Sequence, residues 1–369
     1  MRKFNIKTQI RKLYMMTSVG YFQIAGASWV ALLALRGFSM IEIGILESIF
    51  HMVSCCFEIP SGVVADVFGR KRTLVASQAM TLLSGLFMLL SKGFVTTALA
   101  IGVSALSYNL ASGTREALAY DSLKMAGKER EYNKFASTEM MLYRITNATA
   151  TLCAGLALWL GYRKAYAVDI VFASIALVIA CSLKEILPEE NRKEEGTDDG
   201  TAERQKLSNV IKESAAFLKN NKKAGEIMIV NAVIGAVSTL VLFFLQAKLP
   251  LAGLNQTLLG PALFVMGLGA AAGAKTVSRF SDSRYRKILM LSGIGVLFAF
   301  GMTFTGSPYI MILGGFVGAF ADDFLEVRTD VILNDMIPSS QRATLISVNS
   351  FLFSIVMIVL STLMGWIMG

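Results

Sequence analysis

Four polar residues inside one apolar stretch carry the clearest chemical signal in the sequence. Glu47, His51, Ser54 and Glu58 stand at offsets of 0, 4, 7 and 11. At about 100° per residue they fall within roughly 60° of one another on a helix. A carboxylate and an imidazole one turn apart can share a proton, because a shielded carboxylate retains its proton to near-neutral pH and imidazole titrates nearby. His51 is the only histidine of the 369 residues. Glu47 and His51 therefore read either as a proton-binding couple or as a hydrogen bond that fixes one helix on another, and the spacing leaves both open. Glu58, two residues ahead of Pro60, reads as structural. Asp322 is the matching candidate late in the chain for a proton or a cation. It shares a stripe with Gly315, Ala319 and Glu326, and pairing with Arg328 or Lys275 is its alternative role. Arg144 lies in an apolar stretch with Glu139 and Asn147. Its guanidinium is predicted to pair with an acid such as Glu47, or to hold an anionic ligand group; a purely structural pair fits equally. Tyr21, Gln23, Asn231 and Gln246 are polar residues of other apolar stretches that could line a cavity.

These residues sit in elements of an unusual kind. The chain is 54% hydrophobic and 17% charged, against about 25% charged in a soluble protein. Residues Leu13–Leu35, Thr73–Ser91, Gly93–Thr114, Ile227–Ala247, Leu249–Ala274 and Ala343–Gly369 contain no Lys, Arg, Asp or Glu. About 20 such residues in a helix span a hydrocarbon core of about 30 Å. Ile288–Ala321 is also free of charge but too long for one span, and Gly306-Ser307-Pro308 divides it. The reading is an all-α membrane protein of eleven spans, at 13–35, 40–60, 72–91, 94–117, 135–161, 164–185, 225–247, 255–278, 287–305, 309–331 and 342–368, with ionisable residues in the second, fifth and tenth.

Charge orients them. With the N-terminus in the cytoplasm, 27 of the 35 Lys and Arg fall in inner segments and five in outer ones, as the positive-inside rule requires. The net charge of +9 is accounted for by this distribution, without a nucleic-acid partner. Residues 188–223 are polar, with an acidic run and then Leu207, Val210, Ile211, Ala215 and Leu218 at helical spacing. They predict a cytoplasmic linker with an amphipathic helix between an N-terminal six-helix bundle (1–187) and a C-terminal bundle of five spans (224–369). No cleavable signal peptide is expected, because the first apolar run has full span length. Cys55, Cys56, Cys153 and Cys181 lie in apolar spans and read as small buried hydrophobes. No phosphate-binding loop, metal-ligand spacing or nucleophile–base arrangement is present, so neither an enzyme, an ATP-driven machine, a cofactor nor a metal is expected.

The segment from Glu58 to Thr73 reads Glu-Ile-Pro-Ser-Gly-Val-Val-Ala-Asp-Val-Phe-Gly-Arg-Lys-Arg-Thr. It resembles the signature loop of the major facilitator superfamily, Gly-x-x-x-Asp-x-x-Gly-Arg-Lys/Arg, in the same place between spans two and three. Gly62, Asp66, Gly69, Arg70 and Lys71 match; Val67 replaces the usual basic residue. The stretches Ser112–Leu123 and Gln341–Ser347 are similar to a bacterial branch of that superfamily. The resemblance implies two helical bundles around a cavity that opens alternately to either side; a monomer in the bacterial cytoplasmic membrane that moves a small-molecule substrate, driven by protons, is the expected working form. It implies that Gly62 permits close helix approach, and that Asp66 latches the cytoplasmic side by pairing with Arg115 or with the start of the last span near Ser339 and Ser340. The loop after span eight keeps only basic residues and is expected to set topology. Export of a drug or metabolite is the first expectation. The antiporter hallmark of span five is missing, since Gly155 has no following Pro; uptake of a nutrient, or a transporter-like receptor, therefore stays open. Relatives of this kind have twelve spans, so the eleventh as the last implies either a truncated chain or a shortened plan.

Overall fold

A computed structural model describes residues 5–186, 219, 221–280, 284–336 and 342–369, apart from the side chains at 59, 63, 66 and 342–347. The predicted amphipathic helix around 207–218 lies outside the described residues. The rest is helical: α1 (Ile6–Gly20), α2 (Trp29–Leu35), α3 (Met40–Phe68), α4 (Arg70–Leu90), α5 (Phe94–Ala111), α6 (Thr114–Met125), α7 (Tyr132–Leu152), α8 (Ala154–Leu160), α9 (Tyr162–Cys181), α10 (Lys222–Leu251), α11 (Leu259–Thr276), α12 (Tyr285–Met302), α13 (Pro308–Met336) and α14 (Arg342–Met368). Among the described residues, eight helical stretches are long and apolar enough to cross a membrane.

The other three sequence-read spans differ for physical reasons. Residues 13–35 are not one helix. The chain leaves α1 at Tyr21 and re-enters helix through a 3-10 turn at Gly26–Ser28. The freed backbone is satisfied by a side chain: Ala25 N–H and Gly26 N–H donate to the two carboxylate oxygens of Asp169 on α9, at 3.3 and 2.9 Å. Residues 135–161 likewise divide at Cys153 into α7 and α8. The tenth span is the single 29-residue α13, whose apolar character is diluted by Asp322, Asp323, Glu326, Arg328 and Asp330.

Helix contacts group the described residues into two compact units. One comprises those of Met1–Ala27, Val53–Cys153 and Leu160–Leu207; the other those of Ser28–Met52, Ala154–Trp159 and Ser208–Gly369. In the first, α1 packs on α9 and α7, and α4 on α5 and α9. Leu13, Met16, Leu74, Leu118, Leu123 and Phe135 form its buried apolar core. In the second, α13 packs against α10, α11 and α12, while α10 also meets α14 and α2.

Close backbone approach marks the second unit. A Cβ on Gly269 or Gly273 of α11 would collide with the carbonyls of Phe316 or Phe320 on α13. The first half of α3 meets the end of α14 in the same way. A Cβ on Gly44 would strike the Ser361 carbonyl, and one on Gly365 the Met40 carbonyl. Between them, the Ser48 hydroxyl lies 2.8 Å from the Ile358 carbonyl and 2.9 Å from Thr362 Oγ1.

These approaches fix the sign of a small substitution. Gly273→Ala should destabilise by about 1–3 kcal/mol through overpacking against α13. Gly267→Ala, whose Cβ would meet nothing within 4 Å among the described residues, should stabilise by roughly 0.5–1 kcal/mol through helix propensity. Thermal unfolding of both variants in detergent checks the pair; equal midpoints would refute the packing.

Candidate functional site

The signature loop is built around a helix start. Gly69 adopts φ 94° and precedes the first turn of α4, a left-handed conformation that suits glycine. The exposed backbone amides of that turn find an acid from the segment after α9: Lys71 N–H and Arg72 N–H donate to Glu185 at 3.0 and 3.2 Å. A negative group at a helix N-terminus is favoured by the helix dipole as well as by the two bonds. Glu185 also leaves no room at Gly69, since a Cβ there would sit 2.7 Å from its Oε2. Arg70 turns to α6, where its guanidinium forms an ion pair with Asp121 and donates to the Ala117 carbonyl at 2.8 Å. Lys71 contributes its backbone to this arrangement. Among the described residues nothing lies within 4 Å of a Cβ placed on Gly62. The Asp66 side chain and Ser339 and Ser340 lie outside the described residues; Arg115, the other half of the expected latch, has a partner among the described residues.

That partner is Glu139 on α7. Arg115 Nη1 donates to Glu139 Oε1 at 2.9 Å, and Nη2 lies 3.3 Å from the Tyr21 hydroxyl. Thr17 donates to the same Glu139 oxygen at 3.1 Å, and the guanidinium carbon stands 5.3 Å from the centre of the Tyr21 ring. Arg115 and Glu139 are buried, so each charge is compensated where water is excluded. Tyr143 extends the group, meeting Tyr21 edge-on at 4.7 Å. Arg144 does not sit in an acid pair: its guanidinium carbon lies 5.9 Å from the Tyr143 ring, on an exposed position, and among the described residues no carboxylate comes within 4 Å of it. Asn147 is exposed, and its carbonyl accepts from Thr151 at 2.9 Å. Gln23 turns back on its own chain to donate to the Gly20 carbonyl at 3.0 Å.

The polar stripe of α3 divides. Ser54 donates to Asn109 Oδ1 of α5 at 2.8 Å, and Asn109 donates back to the Ser54 carbonyl at 2.7 Å. Glu47 and His51 belong to the other unit and pair with each other at 3.2 Å (Oε1 to Nε2). The imidazole stands edge-on to Phe50 at 5.5 Å and to Phe353 of α14 at 6.0 Å. Phe353 leads to the third acid. The position a Cβ would take on Gly235 of α10 is 3.8 Å from Phe353 Cε2 and 3.5 Å from Asp322 Oδ1. Ser238, one turn along α10, faces the Asp322 carboxylate, with Glu326 and Asp323 nearby. Phe353 thus neighbours both His51 and Gly235, and Asp322 stands beside Gly235. Asn231 is half-buried one turn before Gly235. Gln246 is buried, and its Oε1 accepts no hydrogen bond among the described residues.

Sequence reasoning overlooked Asp169 and Glu185. Asp169 had a readable signal, the lone acid of a 20-residue helix that beyond Arg163 and Lys164 in its first turn carries no other charge, which needs a reason at membrane depth. Glu185 follows a polar boundary and had none.

Residues 13–321 match the sequence profile of the Major Facilitator Superfamily. The chain belongs to this superfamily. It is accordingly a multi-pass membrane transporter. It is 24% identical over 333 residues, 87% of its length, to the uncharacterized MFS-type transporter YxaM of Bacillus subtilis (strain 168), covering 79% of that protein. Among solved structures it is similar to a mutant of the nucleoside transporter NupG, with TM-score 0.77 and 16% identity over 98% of this chain and 91% of that one. An inward-facing, unoccupied bacterial homolog of the human lysosomal transporter Spinster gives 0.72 and 15% over 98% and 82%. A D-xylose–proton symporter gives 0.62 and 14% over 97% and 88%. At such identities these likenesses establish the superfamily fold.

The buried pair of this transporter makes a testable asymmetry. Glu139→Leu leaves the Arg115 guanidinium uncompensated and should cost about 3–5 kcal/mol, whereas Glu139→Leu with Arg115→Leu should recover most of that loss. Unfolding midpoints of the single and double variants measure it; a double variant no more stable than the single would contradict the pairing.

Proposed function

We propose that this transporter moves a small solute by alternating access and couples the movement to protons at Glu47, His51 and Asp322. The observation that carries the reading is the 3.2 Å Glu47–His51 pair, set beside Phe353, which with Asp322 flanks Gly235. Ionisable groups kept inside apolar helices mark proton relays and substrate paths more often than structural bonds. A carboxylate hydrogen-bonded to an imidazole can give up or take a proton with little rearrangement, because the partner holds the geometry in both states. Asp322 offers a second acceptor on a different helix, with Ser238 to bond it when ionised.

The cycle rocks an N-terminal bundle (1–187) against a C-terminal bundle (224–369), with the N-terminus in the cytoplasm as the inner concentration of Lys and Arg suggests. The crossing of α3 on α14 at Gly44, Ser48 and Gly365 is one contact that opens and closes in that cycle. On this reading the Arg115–Glu139–Tyr21 group fixes the broken first span, and Tyr143 and Arg144 stand next to it as solute contacts.

The test is flux of a panel of labelled solutes into proteoliposomes under an imposed pH gradient, run in both directions. For a transported solute, Glu47→Gln, His51→Ala and Asp322→Asn should each lower pH-driven flux by roughly tenfold or more, while solute exchange without a gradient persists. Full pH-driven flux in all three variants would overturn proton coupling at these residues.

A further inference from the structure

A cavity of about 260 Å³ opens between the start of α1, the end of α6 and the start of α7, one helical turn from Thr17 and Glu139. Its floor is apolar, made by Ile6, Ile10, Tyr14, Leu123 and Phe135. Tyr14 and Phe135 stack there at 5.2 Å, and Leu123 and Phe135 belong to the buried core of the first unit. The rim is basic: Lys7, Arg11, Lys128 and Lys134 surround the single acid Glu131. Lys128 is neutralised by Glu131 at 2.6 Å. For Lys7, Arg11 and Lys134, no carboxylate lies within 4 Å among the described residues. The hydrogen bond from Lys128, with the charges of Lys128, Lys134 and Lys7 behind it, holds the exposed Glu131 carboxyl below its ordinary value. Glu131, Lys128, Lys134 and Lys7 therefore act in one local field.

This combination selects a ligand. Three cations without a carboxylate partner among the described residues call for an anion of more than one charge-bearing oxygen, of which a phosphate is the obvious class. The apolar floor is wasted on a free ion and calls for an alkyl portion on the same molecule. The groups lie at helix ends, where apolar spans give way to charge and where the head groups of a bilayer stand. Basic pockets between spans at that depth take anionic lipid head groups. We propose that this cavity holds the phosphate and first methylenes of an anionic membrane phospholipid, which thereby clamps α1, α6 and α7 together. The proposal rests on the membrane reading and is independent of proton coupling.

The experiment uses the purified full chain in neutral detergent, titrated separately with phosphatidylglycerol, phosphatidylcholine and inorganic phosphate. Retained lipid is read by native mass spectrometry and stabilisation by thermal unfolding. Phosphatidylglycerol should remain bound and raise the unfolding midpoint, phosphatidylcholine should do neither, and inorganic phosphate alone should leave the midpoint unchanged. Replacing Lys7, Arg11 and Lys134 together by Gln should lower phosphatidylglycerol retention roughly fivefold or more, and Lys7→Arg with Lys134→Arg should preserve it. Should the triple variant fail to fold, Lys134→Gln alone reads the same loss at smaller size. Equal retention of the two lipids, or undiminished retention by the Gln variants, would overturn the site. An equal midpoint shift with inorganic phosphate would overturn the lipid as its occupant in favour of a free anion.

Discussion

A bilayer removes the force that usually holds helices together. An apolar side chain gains little by leaving hydrocarbon for protein, so spans associate through close backbone approach and through polar bonds. Both devices recur along this chain. Gly44 with Gly365, and Gly269 and Gly273 against Phe316 and Phe320, bring backbones nearer than any side chain would allow. On α4 and α5, Ser77 and Ser107 exchange hydroxyl bonds with each other's carbonyls at 2.9 Å. Large apolar side chains such as Leu90, Trp159 and Leu251 are exposed instead. The buried polar residues are the joints of the protein, and much of its apolar surface is its boundary with lipid.

The same constraint explains the broken first span. Unpaired backbone amides are tolerated at membrane depth only where protein satisfies them. The break between Tyr21 and Gly26 is flanked by Asp169 from α9, which takes two amide protons, and by Arg115 from α6, which reaches the Tyr21 hydroxyl. Arg115 is in turn balanced by Glu139 from α7. Four helices thus meet at one irregular segment, and each buried charge there has a reason to be present. A break so over-determined is a fixed feature of the first unit, while the α3–α14 crossing depends on van der Waals contact and one serine hydroxyl.

What could be read beforehand follows from how local each feature is. Charge-free runs revealed most spans, because length and hydropathy are properties of a single segment. The Glu47–His51 pair was legible for the same reason, being one turn apart on one helix. The break at Tyr21 was not, since its cause is an aspartate far along the chain; neither was the Arg115–Glu139 pair, which joins α6 to α7. Phe353 gave no signal at all as the neighbour of both His51 and Gly235. The signature loop was recognised by pattern, but the partners of its described residues lie far along the chain and gave no local signal: Arg70 binds Asp121, and Glu185 caps α4.

The transport cycle proposed above has the α3–α14 crossing part. The most direct measurement places cysteines at Ser48 and Thr362, whose hydroxyl oxygens lie 2.9 Å apart, in a chain whose four native cysteines are replaced by alanine. Oxidation should join the two helices and stop solute flux, and reduction should restore it. A cross-linked protein that carries solute at an undiminished rate would show that this contact never opens, and the transport cycle proposed for it would be wrong.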